Sequence, residues 1–305
     1  MLKNDVFGFQ IQITLDSRAA KRTTIFRDTK LLQKTDQLGF EYTSQSPPTE
    51  NVPGKRLYGW KLARLLALIA SALSVEPTLA FDWSSSNIQW LYGNDFEFGV
   101  DERTTVTLEH AHGWQYGTNF FFVDLIDRND VGFEAYAEVY SYLSLSKVTG
   151  YQWSLGPVND ISLLAGLNIS NHPENDYFKA YLLGLSFNLF NSRFDYLQLD
   201  IAAYKDDNVR RRYGVQITPV WSFPFAIGPV NFKFRGFTDF KTGNTNSSGH
   251  FQILAQPQLL LDVGSLAGWK KNNLYIGTEY SLWHNKFGVK GVDESVVQAM
   301  VIAFF

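Results

Sequence analysis

The sequence predicts an all-β protein: a transmembrane antiparallel β-barrel of about twelve strands. Three observations carry this. From Phe81 onward apolar and polar residues alternate with period two. The alternating segments are close to the about 9–11 residues that a tilted strand needs to cross a bilayer. Ahead of them lies a segment with the layout of an export signal. The chain then closes on a nearly all-apolar run, Val296 to Phe305, where a soluble protein usually frays in polar residues.

Composition agrees. The 305 residues are 45% hydrophobic and 16% aromatic, with 25 Phe, 15 Tyr, 8 Trp and 23 Gly. Heavy aromatic use with many glycines fits strands better than helices. The formal net charge of -3 argues against nucleic acid as a partner, since a phosphate-binding face needs a basic excess. There is no Cys. Disulfide frameworks, thiolate metal sites and cysteine nucleophiles are therefore excluded.

Residues 55–80 read as a signal peptide. Lys55, Arg56, Lys61 and Arg64 come first, then an apolar run from Leu65 to Leu73, then Thr78-Leu79-Ala80 with small residues at the cleavage positions. The apolar run is too short to span a membrane as a helix, which takes about 20 residues. Residues 1–54 are polar and without periodicity. They are either a genuine extension or the product of a start assigned too early, with translation beginning near Val52 or Leu57. Residues 81–305 are the barrel.

Twelve strand segments are expected to begin at Asn87, Thr104, Trp114, Val131, Ile161, Phe178, Phe194, Arg212, Val230, His250, Asn273 and Val296. Turn signals separate them, among them Arg128-Asn129-Asp130, Gly156-Pro157, Asp206-Asp207-Asn208 and Gly243-Asn244. Several segments sort into two faces. Val106 and Leu108 alternate with Thr107 and Glu109; Leu163, Ala165 and Leu167 with Ser162, Leu164 and Asn168; Leu197 and Leu199 with Gln198 and Asp200.

A soluble sandwich also alternates, with the apolar face inward. Aromatics near segment ends favour the barrel: Trp90, Tyr92, Trp114, Phe120, Phe122, Tyr151, Trp153, Trp221, Phe223, Trp269 and Trp283 read as interfacial girdles. Export favours it too, because in lipid every backbone polar group must be paired and strands must close on themselves. Phe305 is then the terminal aromatic offered to the barrel assembly machinery. Outer-membrane lipid is the expected surrounding and the Gram-negative outer membrane the expected location.

If apolar rows face lipid, the opposite rows line the lumen. Expected there are Glu109, Glu134, Glu138, Asp200, Glu279, Arg212, Lys233 and Arg235, with Gln115, Asn119, Asn168, Gln198, Gln216, Gln252 and Gln256. Tyr136, Tyr140 and Phe121 join them. Mixed charge with aromatic faces suits a neutral polar solute carrying a flat ring more than a simple ion. The same groups could also fill a narrow barrel as a paired network.

Enzyme signals are weak. There is no G-x-S-x-G and no H-E-x-x-H. His110 and His112 in "EHAH" share a strand face, and are expected to be rim histidines with no metal bound. "GNTNSSG", from Gly243, reads as a loop. No cofactor is expected.

Several stretches together resemble the Tsx-type nucleoside-specific channel family, including its OmpK-like branch. They are "FEFGVDERTTVTLEHAHGWQYGTNFFFVDL" from Phe96, "EVYSYLSLSKVTG" from Glu138, "SLGP" from Ser154, "GFTDF" from Gly236, "WHNKFGV" from Trp283 and "DES" from Asp293. The resemblance implies a monomeric twelve-stranded barrel with a narrow pore, passing nucleosides passively. It implies that Phe98 lines the pore, that Glu109 is a pore carboxylate, and that Lys147 corresponds to a family lysine. Base rings would stack on Phe98, and ribose hydroxyls would bond Glu109, Glu134 and Glu138. Ser141-Tyr142 stands where the nucleoside channels carry Pro-Arg, so one cation is missing. The OmpK-like branch adds a second expectation: a surface receptor for phage or colicin without nucleoside specificity.

Overall fold

The computed structural model describes residues 81–98, 101–127, 132–171, 177–207, 213–242 and 249–305. The expected extension and signal peptide, Arg212, and most of the "GNTNSSG" loop lie outside the described residues.

Thirteen strands are described: β1 Trp83–Gly93, β2 Arg103–Trp114, β3 Gly117–Asp127, β4 Phe133–Ser144, β5 Val158–Asn171, β6 Tyr177–Leu189, β7 Tyr196–Asp206, β8 Gly214–Ile227, β9 Val230–Lys241, β10 Gln252–Ala255, β11 Gln258–Asp262, β12 Leu274–His284 and β13 Glu294–Phe304. Sequence neighbours pair antiparallel, except β10 and β11, which follow one another along the same line. β13 then pairs with β1, Ile302 opposite Gln89, and closes the sheet on itself. Closure removes the free sheet edge that lipid cannot satisfy.

β10 and β11 are two halves of one stave, since both pair with β9 and with β12. Pro257 makes the break, because proline has no N–H for the ladder. The Gln256 carbonyl presses on β9 there. A Cβ at Gly236, whose φ is +152°, would lie 2.5 Å from that oxygen. Only glycine fits. The barrel therefore has twelve staves, as expected.

Side chains alternate as the sequence indicates. On β13 the outward row is Val297, Ala299, Val301 and Ala303, and the inward row Val296, Gln298, Met300 and Ile302. Leu183 is 70% exposed and Val297 62%, while Asn87, Asn168 and Ser186 are almost fully buried. Apolar outside and polar inside is the reverse of a soluble sheet protein. It is the arrangement of a barrel wall facing lipid. Outward aromatics form a ladder on β8 and β9, where Phe223, Phe225 and Phe232 stack in turn at 5.8 and 5.3 Å.

The staves are staggered. Stepping across partners from Asn87 through Glu109, Phe122, Glu138, Asn168 and Ala180 reaches Asp206. That row begins near the start of β1 and ends at the last residue of β7, as strand tilt in a closed barrel requires. One rim carries the start of β1 and the end of β13, here the near rim. The other is the far rim. Among the described residues, helical structure is confined to connections at the near rim, Leu145–Thr149 and Val263–Leu266, and a short 3-10 turn at the far rim, Lys286–Gly288.

The structure corrects the sequence reading of β3 and its surroundings. Glu109 pairs with Phe122 and His112 with Asn119, so Phe120, Phe122 and Asp124 point inward, while Asn119 and Phe121 point outward. Phe120 and Phe122 therefore leave the girdle, and Asn119 and Phe121 leave the lumen. Gln115 sits in the two-residue β2–β3 turn and does not line the lumen. The cause is that β2 ends at Trp114 and the two-residue turn sets the register. Trp283, opposite inward-facing Glu294, also belongs to the inner rows.

Candidate functional site

The inward rows converge on one contact. Glu109 on β2 accepts from Arg235 Nη2 on β9 at 2.5 Å. The shorter way round the wall from β2 to β9 passes β1, β13, β12 and the β10–β11 stave. The pair therefore bridges the lumen from wall to wall. Two amides on β1 fix the Glu109 carboxylate. Asn87 Nδ2 donates to Oε1 at 2.7 Å and Gln89 Nε2 to Oε2 at 3.3 Å. Beside it Glu279 takes amide donors from Gln258 at 2.7 Å, Gln298 at 2.8 Å and Gln256 at 3.4 Å. Carboxylates bound by donors in this way stay oriented in a poorly solvated interior.

A second polar group lies toward the far rim. Tyr136 donates its hydroxyl to Glu138, and Asn168 Nδ2 donates to the same oxygen at 2.7 Å. Asp239 accepts from Thr218 at 2.6 Å and Gln216 at 3.0 Å, with Lys241 Nζ at 3.3 Å. Toward the near rim Lys233 pairs with Asp195 at 3.2 Å and lies over the Tyr275 and Phe304 rings.

Apolar contacts fill the space between. Tyr140, Leu164, Ala180, Leu182, Ala202 and Tyr204 form one buried inward cluster. Leu91, Leu260, Tyr275, Met300 and Ile302 form another. Tyr142 reaches from β4 past two staves to Asp200 on β7, its hydroxyl donating at 3.0 Å.

Of the residues expected in the lumen, Glu109, Glu134, Tyr136, Glu138, Asp200, Lys233, Arg235 and Glu279 lie on inward rows. Phe98 does not belong to the wall. It lies in the far-rim connection after β1, half-exposed, with left-handed backbone at φ 66°. Its ring stacks on Phe287, centroids 6.0 Å apart. Phe287 also has left-handed backbone, φ 53°. Bulky residues seldom adopt that conformation, and it costs about 1–3 kcal/mol. Beneath them Lys286 pairs with Glu294, both buried. Glu294 also accepts the Glu97 N–H at 2.9 Å, tying the two connections together. Lys147 lies at the near rim, bonded to Asp82 and the Trp114 carbonyl.

The structure adds Asp124, Asp239, Lys241, Tyr142 and Tyr204 to the inner rows. Parity carried the signal for Asp124, which alternates with Val123 and Leu125, and for Asp239, flanked by Thr238 and Phe240.

A family model described as a domain of unknown function, DUF5020, matches residues 86–302. The chain belongs to this family. The match begins within β1 and ends within β13, so the DUF5020 region takes in nearly the whole barrel. A search of the curated proteins returns no match. Among solved structures, the DUF5020 barrel is similar to the KdgM porin in complex with disordered oligogalacturonate, at 11% identity and a TM-score of 0.41, covering 72% of this chain and 99% of that one. It is similar to the NanC porin at 11% identity and a TM-score of 0.43, with the same coverage. The translocator domain of the autotransporter NalP from Neisseria meningitidis matches at 11% identity and a TM-score of 0.33, covering 81% of this chain and 95% of that one.

Proposed function

We propose that this barrel is an outer-membrane channel for passive diffusion of small polar solutes, with uncharged nucleosides as the solute class. The observation that carries this reading is the cross-lumen Glu109–Arg235 contact. It is one direct ion pair, set among amides and carboxylates that can rebond to a solute. It crosses the interior between β2 and β9, where its parting would widen the path.

Charge narrows the solute. Inward-row carboxylates, among them Glu109, Asp124, Glu138, Asp200, Asp239 and Glu279, outnumber inward-row Arg103, Lys233, Arg235 and Lys241. A lumen with an excess of one sign repels that sign. Nucleotides are disfavoured and nucleosides are not. Tyr136 and Tyr142, partly exposed on the inner row of β4, offer inward faces for a base. Phe98 and Phe287 offer a stacked pair at the far mouth. No step needs catalysis or energy coupling.

A second reading is a closed barrel serving as a surface receptor, with phage or colicin as candidate partners. The buried cluster around Leu164, Leu182 and Tyr204 favours it, because a filled lumen passes nothing. Single-channel recording in planar bilayers separates the two. The channel reading expects discrete openings whose current is blocked by adenosine or thymidine more strongly than by sugars of equal size. Silence in the bilayer dismisses the channel. Openings with equal block by sugars and nucleosides retain the channel and dismiss nucleoside specificity.

A further inference from the structure

Outside the lumen, one polar feature is unaccounted for. On the outward wall of β1 to β4, five side chains form an unbroken string. Ser86 Oγ lies 2.8 Å from His110 Nδ1. His110 Nε2 lies 3.1 Å from His112 Nδ1. His112 Nε2 lies 3.0 Å from the Asn119 amide, and Ser141 Oγ 2.8 Å from its Oδ1. An ionisable pair on a wall that otherwise faces lipid marks a site. It is also reachable from water. His112 is two residues from the end of β2, which at about 3.3 Å per residue and about 40° of tilt is about 5 Å from the rim.

We propose that His110 Nε2 and His112 Nδ1 chelate a borderline divalent transition-metal ion, Cu²⁺ most tightly and Zn²⁺ next. The two histidines are separated by one residue on a strand, so they share a face. Their facing nitrogens are 3.1 Å apart. With metal–nitrogen bonds of about 2.05 Å, that separation corresponds to a bite angle of about 98°. This lies between the square-planar angle of Cu²⁺ and the tetrahedral angle of Zn²⁺. Imidazole pairs select such ions over Mg²⁺ and Ca²⁺, and Cu²⁺ stands highest in the affinity order.

The surroundings complete the argument. A ligating histidine gives its other ring N–H to an acceptor, which sets its tautomer and orientation. Ser86 Oγ can accept from His110 Nδ1–H. With the Asn119 amide turned so that Oδ1 faces the ring, it accepts from His112 Nε2–H, and Nδ2 then donates to Ser141. Phe81 covers His112 at 4.1 Å and Phe121 lies beside His110 at 5.2 Å. These rings limit how far either imidazole swings. Among the described residues no group of three His, Cys, Asp or Glu side chains gathers for a metal, so water at the rim fills the remaining positions.

The full chain, folded in detergent micelles, is titrated with Cu²⁺ in a buffer without chelators and read by electron paramagnetic resonance. One Cu²⁺ per chain with two coupled imidazole nitrogens is expected. His110→Ala and His112→Ala should each weaken binding at least tenfold and remove one nitrogen coupling. Ser86→Ala should weaken it about tenfold, the range of lost outer-shell partners, with both couplings kept. His284→Ala at the far rim should change nothing. Heat-modified gel mobility checks that each variant is folded. Unchanged affinity in the His110→Ala/His112→Ala double variant overturns the proposal, as does loss of binding in His284→Ala.

Discussion

Glu109 and Arg235, 126 residues apart, meet at 2.5 Å across the lumen of a twelve-stave barrel. Their side chains are 15% and 13% exposed, so the pair is largely enclosed. Two charges so placed attract strongly, and parting them requires a compensating group. On the channel reading, this contact is one that a passing solute must part.

Neutralising it should open the barrel. Glu109→Gln and Arg235→Gln are each expected to raise single-channel conductance several-fold over the parent chain. The charge-reversed double variant, Glu109→Arg/Arg235→Glu, should return it toward the closed value. Equal conductance in all four proteins would remove the pair from the pathway.

The far-mouth aromatic pair should govern nucleoside block. Phe98→Ala and Phe287→Ala are each expected to weaken block of ion current by adenosine about 5–30-fold, from loss of about 1–2 kcal/mol of stacking. Open-channel conductance should stay near the parent value. Current-noise analysis over a nucleoside titration reads this directly, and unchanged block in both variants assigns stacking elsewhere.

Gly277 sets the spacing between β12 and β11. A Cβ there would lie 2.0 Å from the Leu259 carbonyl oxygen, a backbone atom. Gly277→Ala should therefore destabilise the barrel by about 1–3 kcal/mol, the usual cost of overpacking. Urea unfolding in lipid vesicles gives the value. A midpoint matching the parent would mean that the staves separate freely.

Phe305 follows the closing strand, is 70% exposed, and donates its N–H to the Ser86 carbonyl at 3.0 Å. That single backbone bond makes it a small contributor to the finished wall. Deleting Phe305 is expected to lower the amount of protein reaching the membrane several-fold while leaving the thermal stability of the assembled fraction nearly unchanged. Normal membrane levels would deny it a role in assembly.

Much of the wall was legible because its chemistry repeats every two residues. The expected start of the ninth strand at Val230 is its observed start, and Thr104, Phe178 and Asn273 fall within one residue of theirs. Lipid outside and polar groups inside impose a strict parity, and Leu163 to Ile169 and Val297 to Phe305 display it openly. Parity failed at Phe120-Phe121-Phe122. A narrow interior accepts aromatics as readily as the lipid face does, so three phenylalanines in a row give no phase. The two-residue β2–β3 turn supplied it. Inward Glu109, Glu138 and Arg235 could each be assigned to a face from neighbours one and two positions away.

Alternation is a local property of each strand. The order of residues was therefore enough to establish a twelve-strand wall, its approximate strand limits and most of its inner row. What those side chains meet was settled only by folding. Stagger and closure brought Glu109 to Arg235, Tyr142 to Asp200 and Phe98 to Phe287. They also joined Ser86, His110, His112, Asn119 and Ser141 into one string across four staves. Such contacts depend on curvature and register summed over many strands, and no short window of sequence carries that sum.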